Sequence, residues 1–159
     1  MPASVLRAAI FVFGIAIVVV PLSEGVTVGT FVVLLPAVLA SVYAPASPAP
    51  AGVVVVAAAV AAVAGGGPLR PEVLVLIPLV HLFHVTCGLA GAVPAAGRVH
   101  LRALRAPALR FLLIQGIMAV IVLAVSLLPV GRADPLFEAV ALAGLAGVAL
   151  VIVWLQRVR

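Results

Sequence analysis

Two histidines three residues apart, His81 and His84, with Cys87 three residues further on, are the side chains here best suited to chemistry. They stand in an apolar run, His81-Leu-Phe-His84-Val-Thr-Cys87. Imidazoles one helical turn apart can share a divalent metal, and a thiolate one turn on adds a softer ligand. A tetrahedral site needs more, and no other apolar stretch carries His, Cys, Asp or Glu at its middle. Two histidines on one helix cannot clamp both faces of a haem, so a haem would take one axial ligand at most. A proton relay would lack an intramembrane carboxylate. The plainest expectation is hydrogen bonding across helix contacts, with no cofactor. A metal or haem site, and a solute or proton path past His81 and His84, are the functional alternatives.

Such a run must be carried by a helix over about residues 73–94, which places the histidines near its middle. At about 100° per residue, His81, His84, Cys87, Gly88, Gly91 and Ala95 share one arc of about 120°. Leu76, Leu79, Leu82, Phe83, Leu89 and Val93 mostly cover the other side. The small, polar face is expected to pack on other helices, and the bulky face to meet lipid. Pro78, one turn before His81, removes a backbone hydrogen bond and predicts a kink.

Composition demands lipid as the solvent. Of 159 residues, 67% are apolar and 8% charged, and the mean hydropathy is +1.48. A water-soluble domain is about half apolar and a quarter charged. The basic residues are all arginine, the net charge is +5, and the composition is that of a high-G+C bacterial genome. The arginines flank apolar stretches, which excludes a nucleic-acid role and points to topology and anionic lipid. One cysteine excludes an intrachain disulfide.

Six apolar stretches fit this length, at about 5–20, 26–43, 52–69, 73–94, 111–129 and 136–155. The first, although preceded by one arginine as in a signal peptide, lacks a clear small-residue cleavage pattern and reads as a retained span. The third is short, because Gly52–Ala64 covers about 20 Å of a roughly 30 Å hydrocarbon core. Extension through residues 65–69, or local bilayer thinning, would make up the difference. Six crossings put Arg7, Arg98, Arg102, Arg105, Arg110, Arg157 and Arg159 inside, and only Arg70 and Arg132 outside. Five crossings would divide Arg7 from the other inner arginines, against the positive-inside rule. The expected fold is therefore all-α: six transmembrane helices in three hairpins, both termini cytoplasmic, in a bacterial cytoplasmic membrane.

The remaining polar residues have structural readings. Glu24, Glu72, Asp134 and Glu138 fall near helix starts, where a negative charge meets the positive end of the helix dipole. Pro71 and Pro135 suit the first helical turn. The Pro-rich stretch 44–51 predicts an extended, stiff linker. In the basic loop 96–110, Arg98, Arg102 and Arg105 would share a face of a short interfacial helix on anionic lipid or on an acidic partner, with Arg110 beside them. Ala139, Ala143 and Gly147, like Gly88 and Gly91, offer small surfaces for close helix packing, within the chain or with another subunit. Gln115 and Ser126 are expected to hydrogen-bond between helices. The sequence holds no His-Glu-x-x-His, phosphate-binding glycine loop or nucleophile elbow. What remains is a non-enzymatic accessory or scaffolding subunit of an envelope complex, partnered by lipid and by other membrane subunits or itself. A small transporter or channel, and then a metal- or haem-binding redox subunit, are the alternatives.

Overall fold

A computed structural model of the chain describes residues 1–22, 28–64, 69–94 and 96–127. The chain divides into two compact units, Met1–Val125 and Ser126–Arg159. The second lies outside the described residues except for Ser126 and Leu127. With it lie the sixth expected span, the acids Glu24, Asp134 and Glu138, and the packing residues Ala139, Ala143 and Gly147.

The described residues are all-helical, with no strand. α1 is Ala3–Leu22, α2 Val28–Tyr43, α3 Ala49–Val63, α4 Pro71–Gly91 and α5 Arg105–Ser126, the last preceded by a 3-10 turn at Leu101–Leu104. Three stretches are long and apolar enough to cross a membrane: Ala3–Pro21, Pro71–Gly91 and Leu101–Ala124. Their mean hydropathies are 2.5, 2.1 and 2.1. α2 and α3, at 16 and 15 residues, extend about 24 and 22 Å at 1.5 Å per residue.

α1 packs against α2, α3 and α4, with α2 on α3 and α3 on α4. The core is a set of narrow stripes at helical spacing. Leu6, Ile10 and Ile17 come from α1, Leu34 and Val38 from α2, Val53 and Ala57 from α3, and Leu76, Phe83 and Cys87 from α4. Phe83 is the largest fully buried side chain among the described residues. Its ring edge reaches toward Gly14, where an added Cβ would lie 3.3 Å from Phe83 Cε2 and would collide with Val38 Cγ1. The missing side chain at Gly14 is what lets α1 meet α2 and the Phe83 ring together.

Backbone and side-chain hydrogen bonds tie the helix ends. Arg7, near the start of α1, donates through Nη1 to the carbonyls of Val42 and Tyr43, at 3.1 and 3.2 Å. Arg70 Nη2, just before α4, donates to the Ala61 carbonyl near the end of α3. Each guanidinium meets carbonyls that a helix C-terminus leaves without intrahelical partners, and its charge suits the negative end of the dipole. Met1 and Val99 exchange backbone contact through Val99 N–H donating to Met1 O at 2.8 Å, and Ala3 N–H donates to Gly97 O at 3.1 Å. The start of α1 thus lies beside the stretch that follows α4. Within the core, Ser41 and Thr86 donate to the carbonyls of Ala37 and Leu82, both at 2.7 Å. Two hydroxyls are thereby satisfied inside their own helices.

Several local expectations change. The 44–51 stretch is not an extended linker, because Ser47 N–H bonds Ala44 O in a turn and α3 already starts at Ala49. Pro48 and Pro50 occupy the N-cap and first turn, where a proline's missing N–H costs nothing. α3 ends at Val63, with Ala64 as its C-cap; residues 65–68 lie outside the described residues. Pro71 at the first position of α4 and Glu72 in its first turn follow the sequence reading. The 3-10 turn at Leu101 leads straight into α5, so Arg105 and Arg110 belong to that helix while Arg98 precedes it in extended backbone. The shared basic face of a separate short helix is not formed.

Adding a methyl at Gly14 must push the stiff, buried Val38 or the Phe83 ring, which costs about 1–3 kcal/mol by overpacking. Gly52 and Gly116 have nothing within 4 Å of a built Cβ, so alanine there gains helix propensity of about 1 kcal/mol. Thermal unfolding in detergent should show Gly14→Ala below the parent and the other two at or above it. Equal midpoints for all three would remove the close approach at Gly14.

Candidate functional site

α4 is 21 residues long, so His81 lies about 15 Å from either end at 1.5 Å per residue. The structure turns this helix away from the expected facing, so that the core side takes Leu76 and Phe83 from the bulky face and Cys87 from the small one. Phe83, Cys87, Leu76 and Thr86 are buried at 0, 2, 6 and 6% exposure, while His84 and Gly88 are exposed and His81 is half-buried. Leu79, Leu82 and Leu89 are half-buried, as His81 is, and His84 is the exposed imidazole. The physical reason is shape: Phe83 fills the space opened by Gly14, and hydrocarbon surroundings exert no preference that would keep a phenyl ring outside.

Cys87 therefore parts from the histidines in burial. It is a free thiol in the apolar core, while His84, about 60° away around the helix, is exposed. Among the described residues no group of three or more His, Cys, Asp or Glu comes together. The pair His81 and His84 is left to act with two imidazoles.

His81 is held from a second helix. Gln115 Nε2 on α5 donates to His81 Nδ1 at 2.9 Å, which places the imidazole proton on Nε2. The Phe111 ring, one turn before Gln115, lies with its centroid 5.0 Å from that of His81, tilted by 44°. One imidazole edge is thus engaged and its plane is fixed, which leaves the Nε2–H edge as a donor. His84 makes no hydrogen bond within the described residues.

Both histidines line a groove of about 900 Å³ between α3 and α4. Ala51, Val54 and Ala58 form part of its α3 wall, and Val73 and Ile77 part of its α4 wall. Among the described residues every other lining residue is Ala, Val, Leu or Ile, so the two imidazoles are the polar side chains on it. Most of the α3 wall is exposed or half-exposed, so the groove is open along one side. Sequence spacing could find the histidines but not this groove, because α3 carries no chemical signal of its own.

The other sequence-selected residues are distributed. Arg98, Arg102, Arg105 and Arg110 are all exposed, with Arg98 in an isolated antiparallel bridge to Pro2. At Gly91 an added Cβ would lie 3.2 Å from Ala46 Cβ. Gly88 has nothing within 4 Å and packs on nothing described. Arg7, Arg70 and Phe111 were not among the site residues expected from sequence, yet they make the polar and ring contacts that order this region.

No protein-family model, curated protein or solved structure matches the chain.

The Gln115–His81 bond can be measured by a double-mutant cycle. His81→Leu, Gln115→Leu and the double variant, compared in detergent unfolding, should give a coupling of about 0.6 kcal/mol, and no more than about 1.7, as interhelical hydrogen bonds in membranes do. Strict additivity would mean that α5 does not rest on His81.

Proposed function

We propose that the chain is a six-span protein of the bacterial cytoplasmic membrane, folded as three helical hairpins with both termini inside. We further propose that it is a non-enzymatic accessory or scaffolding subunit of a larger envelope complex. The observation that carries the second part is the surface of α5. None of the residues in its span-length window is buried, and Leu109, Leu112, Leu113 and Val120 are 64–67% exposed. Apart from Phe111 and Gln115, which meet His81, this apolar helix presents exposed side chains suited to lipid and to a neighbouring subunit. Among the described residues, Arg7 and Arg70 bond helix ends and Ser41 and Thr86 bond within their own helices.

Two features support the topology. The arginine distribution favours six crossings. Pairing of Met1 and Ala3 with Val99 and Gly97 also brings the two flanks of α1–α4 to one side, as an even number of crossings between them requires. The exposed arginines 98, 102, 105 and 110 suit an anionic inner leaflet, at about 1 kcal/mol each near the surface. A transport path past His81 and His84 remains the second reading because both face one groove. Its otherwise apolar lining offers a hydrated solute nothing to replace its water.

Reporter fusions after Gly97 and at the C-terminus should report cytoplasm, and a fusion after Val130 the outside. A Gly97 fusion reporting outside contradicts the six-span arrangement. For the subunit role, membranes solubilised in mild detergent should yield the tagged chain with a stoichiometric membrane partner. The paired substitution Leu113→Trp and Val120→Trp, tolerable to lipid, should release that partner. If the chain purifies alone, or keeps its partner with both tryptophans present, the accessory reading falls.

A further inference from the structure

The α3–α4 groove combines three properties that together select a ligand class. It is apolar along its walls, it opens sideways, and its polar side chains among the described residues, His81 and His84, lie near mid-length of a span-length helix. An imidazole that deep in hydrocarbon is costly to leave unpaired. His81 has one edge bonded to Gln115 and its ring set by Phe111, so its Nε2–H edge is oriented but unused by that bond. His84, on the same groove, has no hydrogen-bond partner among the described residues.

A phospholipid acyl chain fits the walls but carries no polar atom to this depth, because its head stays at the interface. A divalent cation finds two imidazoles and no third ligand among the described residues. A neutral lipid whose hydrogen-bond acceptors sit on a ring that is itself hydrocarbon-soluble meets both demands. We propose that the groove binds an isoprenoid quinone, with one carbonyl oxygen accepting hydrogen bonds from His81 and His84 through its two lone pairs and its tail along Ala58, Val73 and Ile77. The groove volume of about 900 Å³ lies within the range that holds a small-molecule ligand, roughly 300–1,000 Å³. The site does not depend on the accessory role, since a lone subunit would bind equally well.

The test uses the full chain in phospholipid nanodiscs with ¹⁵N-labelled histidine, titrated with a decyl-substituted benzoquinone and its naphthoquinone counterpart. The side-chain signals of His81 and His84 should shift saturably, while that of His100, exposed before α5, should not. Ala58→Phe, which fills the groove without touching either histidine's hydrogen bonds, should weaken binding by about tenfold or more. Removing one neutral donor with His84→Leu should cost about 3–10-fold. Thermal unfolding checks that Ala58→Phe folds, and Ala62→Leu replaces it if it does not. Non-saturable shifts, equal shifts at His100, or unchanged affinity in a folded groove-filling variant would overturn the proposal. So would identical saturable shifts produced by dodecane, which would assign the groove to lipid tails, or by zinc, which would assign the pair to metal.

Discussion

Main-chain polar groups carried into hydrocarbon must be bonded within the protein, and the vulnerable ones are at helix ends. This chain answers that constraint with arginine at two places. Arg7 closes the end of α2 and Arg70 the end of α3, the two helices that are shorter than a full span. Each guanidinium tolerates contact with interfacial water while its stem lies along apolar surface. A short helix can therefore end within reach of a cation rather than in bare hydrocarbon. Tyr43, 78% exposed at the end of α2, suits the same interfacial level.

Packing inside the bundle then follows from shape rather than from polarity. In water, the apolar face of a helix identifies its core side. In lipid both faces are apolar, and close fit decides which turns inward. That is why Phe83 is buried against Gly14 while His84 stays outside. Positions of α1, α2, α4 and α5 could be read from hydropathy and from Pro71 and Glu72, because spans and helix starts leave local signals. The rotation of α4 could not, since the Gly14–Phe83 fit joins residues 69 positions apart and no periodicity records it. The early start of α3 was hidden for a different reason: Pro48 and Pro50 read as linker residues until they are seen in the cap and first turn.

The candidate site was legible to the same extent. Ionisable residues in the middle of a span mark themselves, so His81 and His84 stand out, and Gln115 was identifiable as a helix-to-helix hydrogen-bonder. Its partner was not. Spacing along α4 grouped Cys87 with the histidines because 100° steps place them in one arc, but an arc of 120° spans the border between core and surroundings in a narrow-striped helix. Cys87 falls on one side of that border and His84 on the other.

These features bear on what holds α5 in place. Residues 105–124 of α5 include none that is buried, and Gln115 bonds His81, a contact worth about 0.6 kcal/mol on average for interhelical bonds in membranes. The aromatic contact of Phe111 with the imidazole adds a term of similar size. Together these two contacts contribute about 1–2 kcal/mol to holding α5 on α4. A ligand that engages the free edge of His81 would order the ring on which Gln115 rests. A subunit seated on Leu113 and Val120 would press the same helix from its outer side. Either contact would strengthen the other, because both depend on one imidazole staying in one orientation. Under both proposals His81 would be the residue through which groove occupancy and docking on α5 are linked.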